Sequence, residues 1–206
     1  MGEKWSPPAH PTQEIEAVTI VDVLRRAGAA VTLASVEASP TVTCSRGVKL
    51  VADAMLADVA GRVFDLIALP GGMPGSQALR DCGPLSAMLS AHAAAGRPYA
   101  AMCAAPAVVL QPAGLLAGRA ATAHPAFAAQ LPEAGSVAAR VVADGPCITS
   151  RGPGTALEFS LALVETLFGS DKAAEVAAPM VLPPPPPPGV GSPPLLPHEW
   201  RLRAGA

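Results

Sequence analysis

Aromatic side chains are scarce in this 206-residue chain, at 3% of the sequence, so its core has to be built from Val, Leu, Ala and Ile. Charge is scarce too, at 15%. The 14 Lys and Arg residues form no cluster able to neutralise a row of phosphates, and the net charge is −2, which argues against a nucleic-acid partner. No apolar run approaches the ~18 consecutive residues of a membrane-spanning helix; Ala91–Ala95 is short and interrupted. The N-terminus is polar and proline-bearing, unlike a secretory signal, and lacks the Arg and Ser of a transit peptide. Cys44, Cys82, Cys103 and Cys147 form no CxxC pair, and no Cys or His pair has zinc-ligand spacing. A disulfide-stapled secreted domain is therefore disfavoured, and no metal or cofactor is expected. Free thiols in a reducing, cytoplasmic setting are the expectation, with organelle import left open by an N-terminus that reads as incomplete.

Proline is abundant, and it sits at the two ends. Residues 1–12 carry Pro7, Pro8 and Pro11 without apolar periodicity and read as a disordered lead. Beyond Leu182, the unbroken Pro183–Pro188 run and the prolines after it read as a disordered tail over 183–206. A passive tail is favoured over a ligand for SH3-like or WW-like domains. Between these ends, residues 13–182 alternate helical and strand patterns. A helix is expected from Gln13 to Gly28, with short strands at Ala30–Ser35, Val42–Cys44, Val48–Val51 and Leu66–Leu69. One or two helices follow over Pro74–Ala95, then a strand at Pro98–Met102 and a helix over Pro106–Leu116 disturbed by Pro112 and Gly114. Several short strands are expected over 119–150. Thr155–Leu167 reads as an amphipathic helix with Leu157 on its buried side, and Asp171–Ala177 as a last short helix. This alternation implies an α/β fold, with a mostly parallel sheet between helices.

Cys103 stands where the strand Pro98–Met102 gives way to a helix opened by Pro106, among small neighbours that permit a tight turn. A helix N-terminus favours negative charge, so its thiol is expected to deprotonate more readily than the ~8.5 of a free cysteine. The bland reading is a small buried hydrophobe. A second turn, Pro70-Gly71-Gly72, follows another strand, and strand ends of a parallel sheet are where ligands gather. Backbone N–H groups from both turns beside one sulfur would make an oxyanion hole.

The segments Leu69-Pro70-Gly71-Gly72, Met102-Cys103-Ala104-Ala105-Pro106, Thr122-Ala123-His124-Pro125 and Thr149-Ser150-Arg151-Gly152-Pro153-Gly154-Thr155 together resemble the ThiJ/PfpI superfamily. Within it the match is to the branch of the parkinsonism-associated protein deglycase, the DJ-one type. Val21–Gly28 and Cys44-Ser45-Arg46 agree with the same branch, and the resemblance runs from about Gln13 to Leu182. It implies a flavodoxin-like sandwich, a homodimer, and a cofactor-independent enzyme. The activity implied is a glutathione-independent glyoxalase III-type lyase (D-lactate dehydratase) and deglycase hydrolase, acting on methylglyoxal, glyoxal and glycated proteins. By the same match Cys103 is nucleophile and oxidation site, Glu16 its acidic partner, and His124 a histidine near the dimer interface. Gly72 and Ala104 fall at the oxyanion donors, and Arg46 and Arg151, with Pro153, at the substrate pocket.

Those residue types suit the chemistry. A Cys103 thiolate would attack an aldehyde carbon, and Glu16 or His124 would move a proton between the two carbons. A carboxyl held against a thiolate is expected to stay protonated and to donate to the sulfur, or to a sulfinate after oxidation. The chain departs from the family in two ways. The family's first strand lies mid-sheet just before the Glu-bearing turn, and Gly2–Thr12, with three prolines, cannot supply it. Ala105 also stands where the best-known member has glycine. Of the oxidisable positions, Cys44 matches the family's second cysteine, while Val51 occupies the third. Ala104 directly after Cys103 argues against the peptidase branch, which has His there. The amidotransferase reading fails because the only late His-Glu pair, His198-Glu199, is wrongly spaced and lies in the tail. The rival from another class is a non-catalytic redox sensor or chaperone, whose Cys103 is oxidised to sulfinate.

Overall fold

A computed structural model describes residues 12–132 and 138–182. The proline-bearing lead through Pro11 and the tail from Pro183, with His198-Glu199, lie outside the described residues. Helix α1 spans Glu14–Arg26 and is followed by strands β1 (Ala34–Ser35), β2 (Thr41–Thr43), β3 (Lys49–Val51) and β4 (Ala54–Met55). Then come α2 (Leu56–Val59), β5 (Ile67–Leu69), α3 (Gly75–Asp81), α4 (Gly83–Ala94) and β6 (Tyr99–Met102). A hairpin of β7 (Val141–Asp144) and β8 (Cys147–Ser150) precedes α5 (Ala156–Phe168) and α6 (Ser170–Ala177). The main sheet has the order β5-β6-β8-β7, with β5, β6 and β8 parallel and β7 antiparallel. β1 pairs parallel with β4, and β2 antiparallel with β3, in two separate small sheets. Among the described residues β5 has β6 as its only neighbour, so its other edge is open.

β6 fixes the centre because all four of its residues are buried. Strand side chains alternate between faces, and here the alternation separates two cores. Ala100 and Met102, with Ile148 of β8, pack against Ile20, Val23 and Leu24 of α1 and against Phe159 and Leu163 of α5. Tyr99, Ala101 and Cys147 face the other way, toward Leu56, Leu85, Leu89 and Leu116. Helices thus cover both faces of a mostly parallel sheet, the flavodoxin-like arrangement. With alanine at the two middle positions of β6, the helical layers approach closely, which offsets the shortage of aromatic side chains.

Two details differ from the sequence reading. Leu157 is 41% exposed rather than buried, because the inner face of α5 is supplied by Phe159, Leu163 and Val164 together with Glu158. Glu158 is buried because Arg140 grips its carboxylate through contacts of 2.6–2.9 Å. The expected helix after Cys103 is a five-residue π-helical turn, Pro106–Leu110, and the chain then runs on in turns past Pro112 and Gly114.

Tyr99 and Cys147 face each other across the β6–β8 register. Burial first, then the neighbouring cysteine, pushes the Tyr99 phenol up to about 12, and burial likewise pushes the Cys147 thiol up to about 12. The folded chain holds these protons where the unfolded chain releases them, so stability is present below the unfolded values and is lost as pH rises toward 12. Urea titrations between about pH 9 and 12 are expected to show stability falling with pH. In Cys147→Ala the slope should be shallower by about 1.4 kcal/mol per pH unit; equal slopes would contradict this account.

Candidate active site

The site is assembled from three chain ends. β6 runs into Cys103, a non-glycine residue at φ 61°, in the left-handed region that costs on the order of 1–3 kcal/mol. Backbone hydrogen bonds on either side hold it there: its N–H donates to the Ser150 carbonyl at 2.9 Å, and its carbonyl accepts from the His124 N–H at 2.8 Å. This turn aims the side chain at the glycines that follow β5. A Cβ on Gly71 would lie 2.6 Å from Cys103 Cβ, 2.7 Å from the Met102 carbonyl oxygen and 2.9 Å from Ala104 N, so only glycine fits. The N–H groups of Gly72 and Ala104 point at the Cys103 sulfur.

The third element is the first turn of α1. Gln13 N–H donates to the Gly71 carbonyl at 3.1 Å, and Gly71 N–H donates to Glu16 Oε2 at 2.7 Å. Glu16 is 0% exposed, and its other oxygen, Oε1, is buried with no hydrogen bond of ordinary length. Cys103 is the polar group coupled to that carboxyl. A proton on Oε1 satisfies the oxygen by giving it a donor to turn toward the sulfur.

Burial raises the Glu16 carboxyl above its ordinary value, against the lowering influence of Gly71 N–H and Cys103. Burial, followed by the Glu16 charge, pushes the Cys103 thiol up to about 12, against the Gly72 and Ala104 N–H groups. This corrects the expectation of a thiol made acidic by a helix N-terminus. The turn after Cys103 is too short to carry a large dipole, and desolvation outweighs the backbone donors. Burial is the first cause of both shifts, and the Glu16 charge adds to it at Cys103. The pair carries at most one charge: with Glu16 protonated, the Coulombic opposition to a thiolate disappears and the two N–H donors act on it alone.

His124 is half-buried, with its ring edge toward Phe127 at a centroid separation of 6.2 Å. Its Nδ1 accepts from the Ala126 N–H at 3.2 Å, so a neutral ring carries its proton on Nε2. Gly152 brings His124 and Cys103 to one wall: a Cβ there would sit 3.4 Å from His124 Cδ2 and 4.0 Å from Cys103 Sγ. Its N–H is held by Thr155 Oγ1 at 3.1 Å, and Thr155 is bonded at 2.6 Å to Ser150, whose hydroxyl donates to the Arg140 carbonyl.

Cys103, Glu16, Gly72, Ala104 and His124 therefore meet. The two arginines are held by other contacts. Arg46 is exposed, and its backbone N–H donates to Glu14 Oε1 at 2.8 Å; the Arg151 guanidinium donates to the Ala138 carbonyl at 3.1 Å. Pro153 is half-buried, in the turn after Gly152. Sequence reading passed over the separate roles of Gly71 and Gly152, although both stood in the motifs it used. It also missed Arg140, whose partner lies eighteen positions away. Among the described residues no group of three His, Cys, Asp or Glu side chains is arranged to hold a metal ion. No helix among them is long and apolar enough to cross a membrane.

The Gly71 contacts make a direct prediction. Gly71→Ala should destabilise the fold by about 1–3 kcal/mol and, by displacing Cys103, cut Cys103-dependent chemistry by at least ~100-fold. Denaturant titration and cysteine alkylation rates measure the two effects. An alanine variant with wild-type behaviour in both would show that the close approach is not real.

The chain is similar to several known proteins. Protein DJ-1 homolog B of Arabidopsis thaliana is 50% identical over 177 residues, covering 85% of this chain but 40% of the relative, so the chain spans less than half of that protein's length. The glutathione-independent glyoxalase DJR-1.2 of Caenorhabditis elegans is 37% identical over 177 residues, covering 85% of this chain and 93% of the relative. The solved structure of oxidized DJ-1 from Toxoplasma gondii superposes with a TM-score of 0.82 at 48% identity, covering 84% of this chain and 94% of that one. The DJ-1/PfpI family profile matches residues 8–166, and with the buried Glu16 beside the Cys103 turn, the chain belongs to the DJ-1/PfpI family.

Proposed function

We propose that this protein is a cofactor-independent glyoxalase that converts methylglyoxal and glyoxal to their hydroxy acids without glutathione, and that Cys103 is its nucleophile. The observation that carries the reading is the Cys103 sulfur set between the Gly72 and Ala104 N–H groups, with the buried Glu16 carboxyl beside it. The thiolate attacks the aldehyde carbon and forms a C–S bond. The carbonyl oxygen takes up the negative charge against the two N–H groups and is then protonated, giving a hemithioacetal. A base, Glu16 or His124, removes the proton from that carbon and returns one to the neighbouring carbon. The resulting thioester is hydrolysed by water, releasing lactate from methylglyoxal and restoring the thiol. In deglycation the C–N bond of a protein hemiaminal breaks, the amine leaves carrying a proton, and the aldehyde carbon so released meets the same Cys103 attack. Membership of a family that contains a named glutathione-independent glyoxalase supports the reading.

A non-catalytic redox sensor is the second reading: the Glu16 carboxyl and the Gly72 and Ala104 N–H groups beside the sulfur are donors suited to a Cys103 sulfinate. The two separate by experiment. Purified protein should turn over methylglyoxal without glutathione, and Cys103→Ser should lower kcat by at least ~10³-fold. Full activity in that variant would sink the mechanism. Absence of turnover, together with a two-oxygen mass gain on Cys103 after peroxide, would favour the sensor. Glu16→Gln is expected to lower kcat by about 10²–10⁴-fold. In that variant the thiol should nonetheless ionise at lower pH, because the charge opposing it is gone. Thiolate ultraviolet absorbance against pH checks this; an unchanged thiol titration would separate Glu16 from Cys103.

We also propose that the protein works as a homodimer. Ile15, 57% exposed, and Val18 stand on the outer face of α1, and Val48 and Val51, the latter 69% exposed, on the β2–β3 hairpin. Glu14 ties helix and hairpin together by accepting from Ser45 Oγ and Arg46 N–H at 2.8 Å each, so the exposed apolar side chains stand on linked elements. Val51→Glu is expected to sediment as a monomer with unchanged circular dichroism, whereas a wild-type chain that is itself monomeric at micromolar concentration would refute the assembly.

A further inference from the structure

A large cavity lies away from the Cys103 turn. It holds about 800 Å³ and lies between two strands that ought to be neighbours, β1 and β5. Its walls are apolar on both sides: Ile20, Leu24 and Leu167 come from the helical layer of α1 and α5, and Leu56, Leu85 and Met88 from the opposite layer. Its two edges are strand backbone. Ile67 N–H bonds toward β6, so by alternation the peptide groups of Ala68 point into the cavity. The Leu33 carbonyl accepts from Asp53 and Ala54 N–H, so those of Ala34 also point into it. A cavity with ladder groups on two edges and apolar side chains above and below has the form of a missing central strand. A strand covered on both faces takes up roughly 160 Å³ per residue, from about 4.8 Å between strands, about 10 Å of layer and about 3.3 Å of rise. The cavity therefore admits about five residues or more.

The residues that precede Thr12 in the sequence are chemically unfit for this space. Thr12 lines the cavity, and the backbone crosses its mouth there, with Ser45 N–H donating to the Thr12 carbonyl at 3.0 Å and Gln13 N–H to the Gly71 carbonyl at 3.1 Å. Residues 6–11 read Ser-Pro-Pro-Ala-His-Pro, so half of that stretch has no N–H to give to a flanking strand, and Pro183–Pro188 has none. We propose that this cavity is a receptor groove for an extended, proline-free apolar segment of a second polypeptide, which adds as a strand between β1 and β5. The apolar walls require the near-continuous Val/Ile/Leu character of a strand buried on both faces. The backbone edges supply affinity by strand addition.

The test uses the full chain and a synthetic peptide of ~7 residues, rich in Val and Ile and flanked by Lys for solubility. In the free protein the Ala34 and Ala68 amides should exchange rapidly with solvent deuterium. With peptide they should become protected, binding should saturate at one peptide per chain, and Tm should rise by about 5 °C or more at saturation. The same peptide with proline at alternate positions should neither bind nor protect. The proposal is overturned if both amides are already protected in the free chain, which would mean that its own segment or a second copy fills the groove. It is equally overturned if the peptide leaves them unprotected, or if the proline version binds as well.

Discussion

The hydrogen bond from Gly71 N–H to Glu16 Oε2, 2.7 Å long and fully buried, ties together segments that are otherwise far apart in the chain. It fixes the start of α1 against the turn after β5, and the same glycine carries the Cys103 turn on its other side. Desolvation makes the carboxylate form of Glu16 costly, so the arrangement holds its charge in check. A carboxyl raised in this way keeps its proton to higher pH than an exposed glutamate does.

The surrounding layers serve to hold that contact in place. β6 contributes side chains to both cores and then delivers Cys103 in a backbone conformation that only fixed neighbours sustain. On the far side, Arg140 binds Glu158 and the Gly154 carbonyl, and the Ser150–Thr155 hydroxyl pair pins Gly152 beside the sulfur. Hydrogen-bonded turns thus flank the Cys103 sulfur on the sides that these residues supply. This is the condition for backbone donors to act without reorganising.

Elements punctuated by glycine and proline were legible in the sequence. Gly28, Pro70-Gly71-Gly72 and Pro106 mark chain ends where the structure also has them, and family motifs drew attention to Glu16 and His124 as well as Cys103. What escaped was set by three-dimensional surroundings. β4 and α2, over Ala54–Val59, are too short for any periodicity to show. Leu157 was misassigned because apolar character alone does not say which face a neighbouring charged pair has claimed. The direction of the Cys103 shift was misread because a local pattern displays donors but not burial, and burial is the larger influence here.

One consequence follows from the first turn of α1. Ile15 faces outward, while Glu16, the next residue, is sealed against the sulfur. A single turn of α1 thus has two opposite surroundings, and whatever covers Ile15 and Val18 lies one peptide unit from the acid without meeting the sulfur.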